Sequence, residues 1–307
     1  MYLGNQNRTL KKLSKEYLVG SEVKSLMGCL YIIATPIGNF DDISLRAIKL
    51  FNFVDILLCE DTRKTKKLLS HLGINKNNLI SYNDINAEKK RPFIIKQILM
   101  NKNIGLVSDA GTPLISDPGY KLIQDAYLND IKVTHAPGPS SVLNAMILSG
   151  LPSNQFYFGG FVDSKKGNKE KQFLSVKDYK MTGIWFDTCL RLKNTLEIMY
   201  EVYGNRKISI ARELTKKYEE IISSDLKDIR KILKIREEKN IPLKGEIVLV
   251  VAGINQLAKF DIKKIRETIK TKLNTMSLKD TVELISSKEH ISKKLIYKEA
   301  IKIKDKL

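Results

Sequence analysis

The run Val107-Ser108-Asp109-Ala110-Gly111-Thr112-Pro113-Leu114-Ile115-Ser116-Asp117-Pro118-Gly119 holds the densest set of residues able to contact a ligand. It follows the short apolar run Ile104-Gly105-Leu106-Val107 and precedes a helical pattern of Tyr120, Leu122, Ile123 and Ala126, so it occupies the turn after a buried strand. Turns at that place in an α/β sheet build ligand sites. Gly111 lets backbone come close to a bound molecule, Pro113 and Pro118 stiffen the path, and Asp109, Thr112 and Ser116 supply donors and acceptors. A single Gly-Pro loop is more often a surface turn. Its weight comes from its neighbours.

Four further segments carry chemistry. Thr35-Pro36-Ile37-Gly38-Asn39 follows the first strand pattern, but contains neither GxGxxG nor a Walker lysine, which argues against nucleotide-phosphate binding. Pro137-Gly138-Pro139-Ser140-Ser141 opens a helix, where hydroxyls and unpaired N–H groups face outward. Glu60-Asp61-Thr62-Arg63 sets two carboxylates, a hydroxyl and a guanidinium at a strand end, and Ala211-Arg212-Glu213-Leu214-Thr215-Lys216 repeats that chemistry later. Glu60, Asp61 and Glu213 are candidate proton acceptors. Arg63, Arg212 and Lys216 either hold phosphates or pair with those acids, and charge runs of this sort are usually solvated faces. His71, His135 and His290 are scattered, and Cys29, Cys59 and Cys189 are widely spaced in apolar sequence. They read as ordinary histidines and reduced core thiols, not as a metal site or a disulfide framework.

The elements that must position these residues alternate. Strand patterns at Leu30 to Ala34, Val54 to Leu58, Ile104 to Val107 and Ile131 to Thr134 are interleaved with helical spacing. The helical stretches are Ile43 to Phe51 behind an Asp42 cap, Thr62 to Leu72, Phe93 to Met100, the Tyr120 stretch, and Ser140 to Leu148. This pattern predicts an α/β domain with a largely parallel sheet over 29–150, closed by the break Gly150-Leu151-Pro152-Ser153. A second alternation over 151–255 places strands at Gln155 to Phe158, Gly183 to Phe186, Lys207 to Ala211 and Glu246 to Ala252. Helices are expected at Leu192 to Tyr203 and Leu226 to Ile235, with a polar stretch from Asp163 to Lys171. Residues 256–307 form a basic helical segment with Ser277, Asp280 and Ser292 as capping residues and a weak helix-turn-helix signal around Lys288 to Ser292. Residues 1–28 read as a mobile extension.

The chain has 307 residues and a formal net charge of +19. The basic surplus is three over 1–28, three over 29–150, six over 151–255 and seven over 256–307. A basic surface attracts phosphates without reading sequence, which makes nucleic acid the leading partner class, against a purely compositional bias. Apolar runs are far shorter than the roughly 20 residues a spanning helix needs. The lysines of the first 28 residues leave no apolar core for a signal peptide. A cytoplasmic protein is expected, with no membrane contact.

Taken in order from Leu30 to Ala252, these motifs together with Lys244-Gly245-Glu246 resemble the ribosomal RNA 2′-O-ribose methyltransferases of the tetrapyrrole methylase superfamily. Those enzymes methylate a cytidine in the decoding centre of small-subunit (16S) RNA. The resemblance implies two α/β domains of the tetrapyrrole methylase type facing across a cleft, a homodimer, S-adenosylmethionine as methyl donor, and small-subunit RNA or the assembled subunit as substrate. It implies cofactor contacts from Pro36, Gly38, Asp109, Ala110, Gly111, Thr112, Ile115, Ser140, Ser141, Asp187 and Leu214. Two stretches depart from the pattern: Ile85-Asn86-Ala87 stands for His-Asn-Glu, and Phe186-Asp187-Thr188-Cys189-Leu190-Arg191 for Tyr-Glu-Ser-x-His-Arg. A tetrapyrrole C-methyltransferase and a non-catalytic ribosome-binding protein on the same fold are the competing readings.

Overall fold

Continuous apolar runs set the architecture of the first part of the chain. In the computed structural model, which describes residues 28–239, 241, 243–254, 262–289 and 293–304, β4 (Ile104–Val107) is buried along its whole length. It lies in the middle of a five-stranded sheet of order β3-β2-β4-β1-β5, built from β1 (Cys29–Ile33), β2 (Ile56–Cys59), β3 (Leu79–Ser81), β4 and β5 (Lys132–Ala136). Every pairing in it is parallel. Parallel sheets need both faces covered. Period-two alternation does this: Ile32, Leu58 and Leu106 join one buried cluster, while their neighbours Ile33, Leu57 and Val107 join another. The covering helices are α1 (Leu45–Phe53), α2 (Thr62–His71), α3 (Ala87–Leu99), α4 (Tyr120–Leu128) and α5 (Ser141–Ser149). All sheet strands of this half point their C-terminal ends the same way, so the loops after β1, β2, β4 and β5 gather along one edge.

Local chemistry explains where the elements depart from the sequence pattern. The cap of α1 is Ser44, whose Oγ accepts from the Ala47 N–H at 3.1 Å, not Asp42, which lies in a short 3₁₀ turn over Phe40–Asp42. Helix α3 starts at Ala87, six residues before Phe93, with Pro92 inside it. The three-residue, half-buried strand β3 carries too little apolar signal to be read.

The later part contains β6 (Phe156–Phe161), α6 (Lys166–Leu174), β7 (Thr182–Thr188), α7 (Leu192–Tyr203), β8 (Lys207–Arg212), β9 (Glu220–Asp225), α8 (Leu226–Glu238) and β10 (Glu246–Val251). Its sheet order is β6-β7-β10-β8-β9. Helix α6 arises within the stretch that reads as polar, because Lys169 and Phe173 recur four residues apart and are both buried. Three further helices, α9 (Ile262–Leu273), α10 (Leu278–Glu289) and α11 (Lys293–Lys304), pack around Ile269, Val282, Ile285, Ile296 and Ala300. Ser277 caps α10, accepting from the Asp280 N–H at 3.2 Å and donating its hydroxyl to Asp280 Oδ2 at 2.6 Å. Residues 1–27 and Ser292, with the turn between α10 and α11, lie outside the described residues.

The chain divides into two compact units. The first runs to Ser149 and also takes in Ile210–Ile221 and Gly245–Val248; the second comprises Gly150–Ser209, Ile222–Lys244 and Leu249–Leu307.

Candidate active site

Three loops at the carboxyl edge of the first sheet are fastened to one another by hydrogen bonds. Thr35, after β1, and Gly111, after β4, exchange a pair of backbone bonds, Thr35 N–H to the Gly111 carbonyl at 2.8 Å and Gly111 N–H to the Thr35 carbonyl at 3.0 Å. The Thr112 hydroxyl donates to the Pro139 carbonyl in the loop after β5 at 3.1 Å. Gly111 has φ +81°, and a Cβ built there would lie 3.3 Å from Ile37 Cγ2. Only glycine takes that backbone and that spacing at low cost. Downstream, Leu114 and Ser116 hold φ of 74° and 66°, a strain that a packed loop must sustain. Pro36 is buried, Ala110 and Ile115 are exposed beside Gly111, and Ser140 and Ser141 stand half-buried where α5 opens.

The carboxylates of the Glu60-Asp61-Thr62-Arg63 segment separate into distinct environments. Asp61 caps α2, accepting from the Arg63 N–H at 2.8 Å, and its oxygens receive the Arg63 guanidinium, with the closest contact 2.7 Å. The Arg63 hydrogen bonds hold its pKa down to about 2. Glu60 is half-buried; partial burial raises its pKa, the Asp109 charge adds to this, and the Asp109 N–H and Lys64 pull the other way. Asp109 accepts from the Asp61 N–H at 2.9 Å and pairs with Lys64 at 2.8 Å. Burial pushes Asp117 up to about 6, against a hydrogen bond from Ser108. Sequence reasoning passed over both Lys64 and Asp117; the position of Lys64 on α2, one turn behind Asp61, was the available signal.

A cavity of about 290 Å³ opens between this edge and α2, walled by Thr35, Pro36, Ser108 and Asp109 on one side and by Lys64 and Lys67 on the other. Small-molecule clefts start near ~300 Å³. Its lining mixes the hydroxyls of Thr35, Thr65 and Ser108 and the Lys64–Asp109 ion pair with the apolar Phe40 and Leu68.

The segment after β8 belongs to the same unit. Glu213 (φ 48°) and Thr215 (φ 64°) force a tight turn that returns to the loop after β1: the Asn39 N–H donates to Thr215 Oγ1 at 3.1 Å. A Cβ on Gly38 would lie 2.5 Å from Lys216 Cγ and 2.9 Å from the Leu214 carbonyl, so the close approach requires glycine. The Glu213 carboxylate accepts from the Glu246 N–H at 2.9 Å and from Lys216 Nζ at 3.0 Å. Burial raises its pKa, but these bonds and Arg212 outweigh that and leave it lowered. Lys216 also reaches Glu246 at 2.9 Å, and Arg212 lies 3.3 Å from Glu220. Leu214 is buried.

Asp187 lies in the second unit, with a fully buried side chain. It accepts from the Thr188 N–H at 2.8 Å, from Arg191 Nε at 3.0 Å and from the Thr195 hydroxyl at 2.6 Å. The buried Lys169 ammonium donates to Thr195 Oγ1 and Asn194 Oδ1, each at 3.0 Å. The shortened carboxylate at this position is therefore fully engaged. Ile85 and Leu190, at the positions where the resemblance implies histidines, are 93% and 97% exposed. Cys29 and Cys59 are buried, whereas Cys189 is only half-buried. Among the described residues no helix is long and apolar enough to cross a membrane, and no cluster of three or more His, Cys, Asp or Glu side chains is placed to hold a metal.

Comparison with known proteins adds what geometry alone does not. Residues 29–230 match the family model of the Tetrapyrrole (Corrin/Porphyrin) Methylases. A protein of Rickettsia prowazekii named Ribosomal RNA small subunit methyltransferase I is 44% identical over 272 residues, which is 87% of this chain and 94% of that one. The protein of the same name from Bacillus subtilis is 39% identical over 280 residues, 91% of each. Among solved structures, diphthine synthase aligns with TM-score 0.53 at 15% identity over 73% of this chain and 89% of that one. Uroporphyrin-III C-methyl transferase from Thermus thermophilus, complexed with S-adenyl homocysteine, aligns with TM-score 0.51 at 14% identity over 73% and 97%. At such identities these two structures speak to the fold alone.

Proposed function

Since the chain belongs to the tetrapyrrole methylases, and within them to the small-subunit ribosomal RNA methyltransferases I, we propose that it methylates the ribose 2′-hydroxyl of a cytidine in the decoding centre of 16S RNA, with S-adenosylmethionine as donor. The observation that carries this reading is the 44% identity to a relative named for that RNA, sustained over 94% of the relative's length. The same reading includes a cytoplasmic homodimer acting on free RNA or the assembled subunit.

The residues at the sheet edge fit the donor. Gly111 presents backbone without a side chain, Ile115 offers an exposed apolar surface to an adenine ring, and Thr112, Ser140 and Ser141 supply hydroxyls. Pro36, Gly38, Asp109, Ala110 and Leu214 complete the proposed contact set within the first unit; the Asp187 carboxylate, expected among these contacts, is buried in the second unit and already engaged by Thr188, Arg191 and Thr195. When bound, S-adenosylmethionine supplies a methyl group already activated by its sulfonium. The chain's own task is to hold the ribose oxygen in line and remove its proton.

Glu60 suits that removal best of the three candidate acids. It is the one whose environment raises its proton affinity, whereas Asp61 and Glu213 are held as ion-paired anions. In this assignment Asp61 positions α2, and Glu213 positions the turn that returns to Asn39. Lys64 and Lys67 supply positive charge for the RNA backbone at the cavity wall, and Arg63, 89% exposed at its side chain, extends it. Arg212 and Lys216 remain proposed RNA contacts, the weaker ones because their side chains are far less exposed than those of Arg63 and Lys64.

Transfer of labelled methyl from S-adenosylmethionine tests this directly, with small subunits, free 16S RNA and a porphyrinogen offered in parallel. Label recovered as 2′-O-methylcytidine supports the reading. Label on the porphyrinogen, or no transfer to any acceptor, overturns it.

A further inference from the structure

The groove between α7 and α8 lies in the second unit and contains none of the residues assigned above. It encloses about 380 Å³. Leu196, Leu233 and the Tyr200 ring form its apolar surface, while Lys193, Lys227, Arg230, Lys231 and Lys234 line it with five cations against the single acid Glu197. The sequence builds this by helical spacing. Leu226 and Ile229 of α8 are buried, which turns Lys227, Lys231 and Lys234, at intervals of four and three, to solvent on one face. The Arg230 guanidinium rests on the Tyr200 ring 4.9 Å from its centroid, so the groove has a planar cationic wall as well as flexible ones. Asp228 meets Lys231 at 3.1 Å, but both side chains are exposed, and such pairs are weak and easily exchanged.

A concave surface with this imbalance concentrates polyanions, and an apolar floor with an aromatic ring accommodates sugars and bases between the phosphates. We propose that the α7–α8 groove binds the sugar-phosphate backbone of the ribosomal RNA substrate, as a contact independent of base sequence and additional to the one at the first sheet. The inference rests on the ribosomal RNA reading above. It also gives a structural place to part of the basic surplus carried by residues 151–255.

The test is a triple variant, Lys227→Gln, Lys231→Gln and Lys234→Gln, compared with wild type. All three side chains are exposed, so the fold should persist, which the melting temperature and S-adenosylmethionine affinity check. Binding to free 16S RNA is measured across a salt series. The expected result is an affinity about tenfold or more weaker near ~0.1 M salt and a log–log salt slope shallower by about two, since each lost phosphate contact on single-stranded RNA removes ~0.7. Acetylation footprinting of wild type should show Lys227, Lys231 and Lys234 protected when RNA is added. Unchanged affinity and slope, with wild type binding normally, overturn the groove alone. Weakened binding to assembled subunits with free RNA unaffected also overturns it, and points to a ribosomal protein partner. Failure of wild type itself to bind or methylate the RNA overturns the underlying reading.

Discussion

Glu60 and Asp61 are adjacent in the chain and opposite in proton affinity: the Arg63 fork holds Asp61 at about 2, while partial burial beside Asp109 lifts Glu60 above the usual carboxylate value. One residue of register decides this. Asp61 stands at the cap of α2, where its oxygens meet the first-turn N–H and the guanidinium, and Glu60 is still in the wall of the sheet edge.

Glu60→Gln should therefore lower the single-turnover methyl-transfer rate by about 10²-fold or more while S-adenosylmethionine still binds. Asp61→Asn and Glu213→Gln should keep most of that rate and mainly lower the melting temperature. In wild type, the rate should climb with pH across the raised Glu60 titration, because the base works only when ionised. A Glu60→Gln enzyme as fast as wild type would move proton removal to water or to the RNA itself.

Asp117 offers a test of the site's electrostatics. Its pKa is raised to about 6 in the fold against an ordinary 3.8, so the folded state favours the protonated acid. That contribution to stability is complete below the unfolded value and is lost as pH rises through about 6. Asp117→Asn should raise the melting temperature at pH 8 relative to wild type and change it little at pH 4, since the amide carries no charge to desolvate. Equal shifts at both pH values would contradict the assignment.

Gly111→Ala should weaken S-adenosylmethionine binding by tenfold or more, measured by calorimetry. The added methyl lies 3.3 Å from Ile37 Cγ2, and the backbone at φ +81° disfavours any side chain, costing about 1–3 kcal/mol of stability as well. Undiminished affinity would remove this loop from the cofactor site.

Deleting residues 256–307 should leave cofactor affinity nearly unchanged and weaken RNA binding with a shallower salt dependence. Helices α9, α10 and α11 share a core of their own, which is why their loss should be tolerated. Global unfolding of the truncated chain would instead make them part of the second unit's core.

The parallel sheet was legible because its strands are buried on both faces and read as unbroken apolar runs, as at Ile104–Val107. Helix α7 was legible to its ends, since Leu192, Thr195, Leu196, Met199 and Tyr203 recur at helical spacing. Strands β3 and β9 were not: both are mostly half-buried edge strands, each paired only with the strand that precedes it in the chain, so neither carries the unbroken apolar run of a central strand. Helix α6 escaped notice because one of its two inward side chains, beside Phe173, is a lysine, which the Thr195 and Asn194 oxygens make tolerable in a buried position.

The order and spacing of short motifs determined the fold class and the family, because each motif must follow a strand end to serve a common sheet edge. Residue types also named the acids and bases available at that edge. Which of those acids is free to take a proton was decided only by tertiary structure. Proton affinity depends on the charges and dipoles within a few ångströms, and the partners of Glu60, Asp109 and Glu213 come from segments 33 to 49 residues away as well as from their own loops. The same holds for the α7–α8 groove: its lysines are visible in the chain, but their convergence over Tyr200 exists only once the two helices pack.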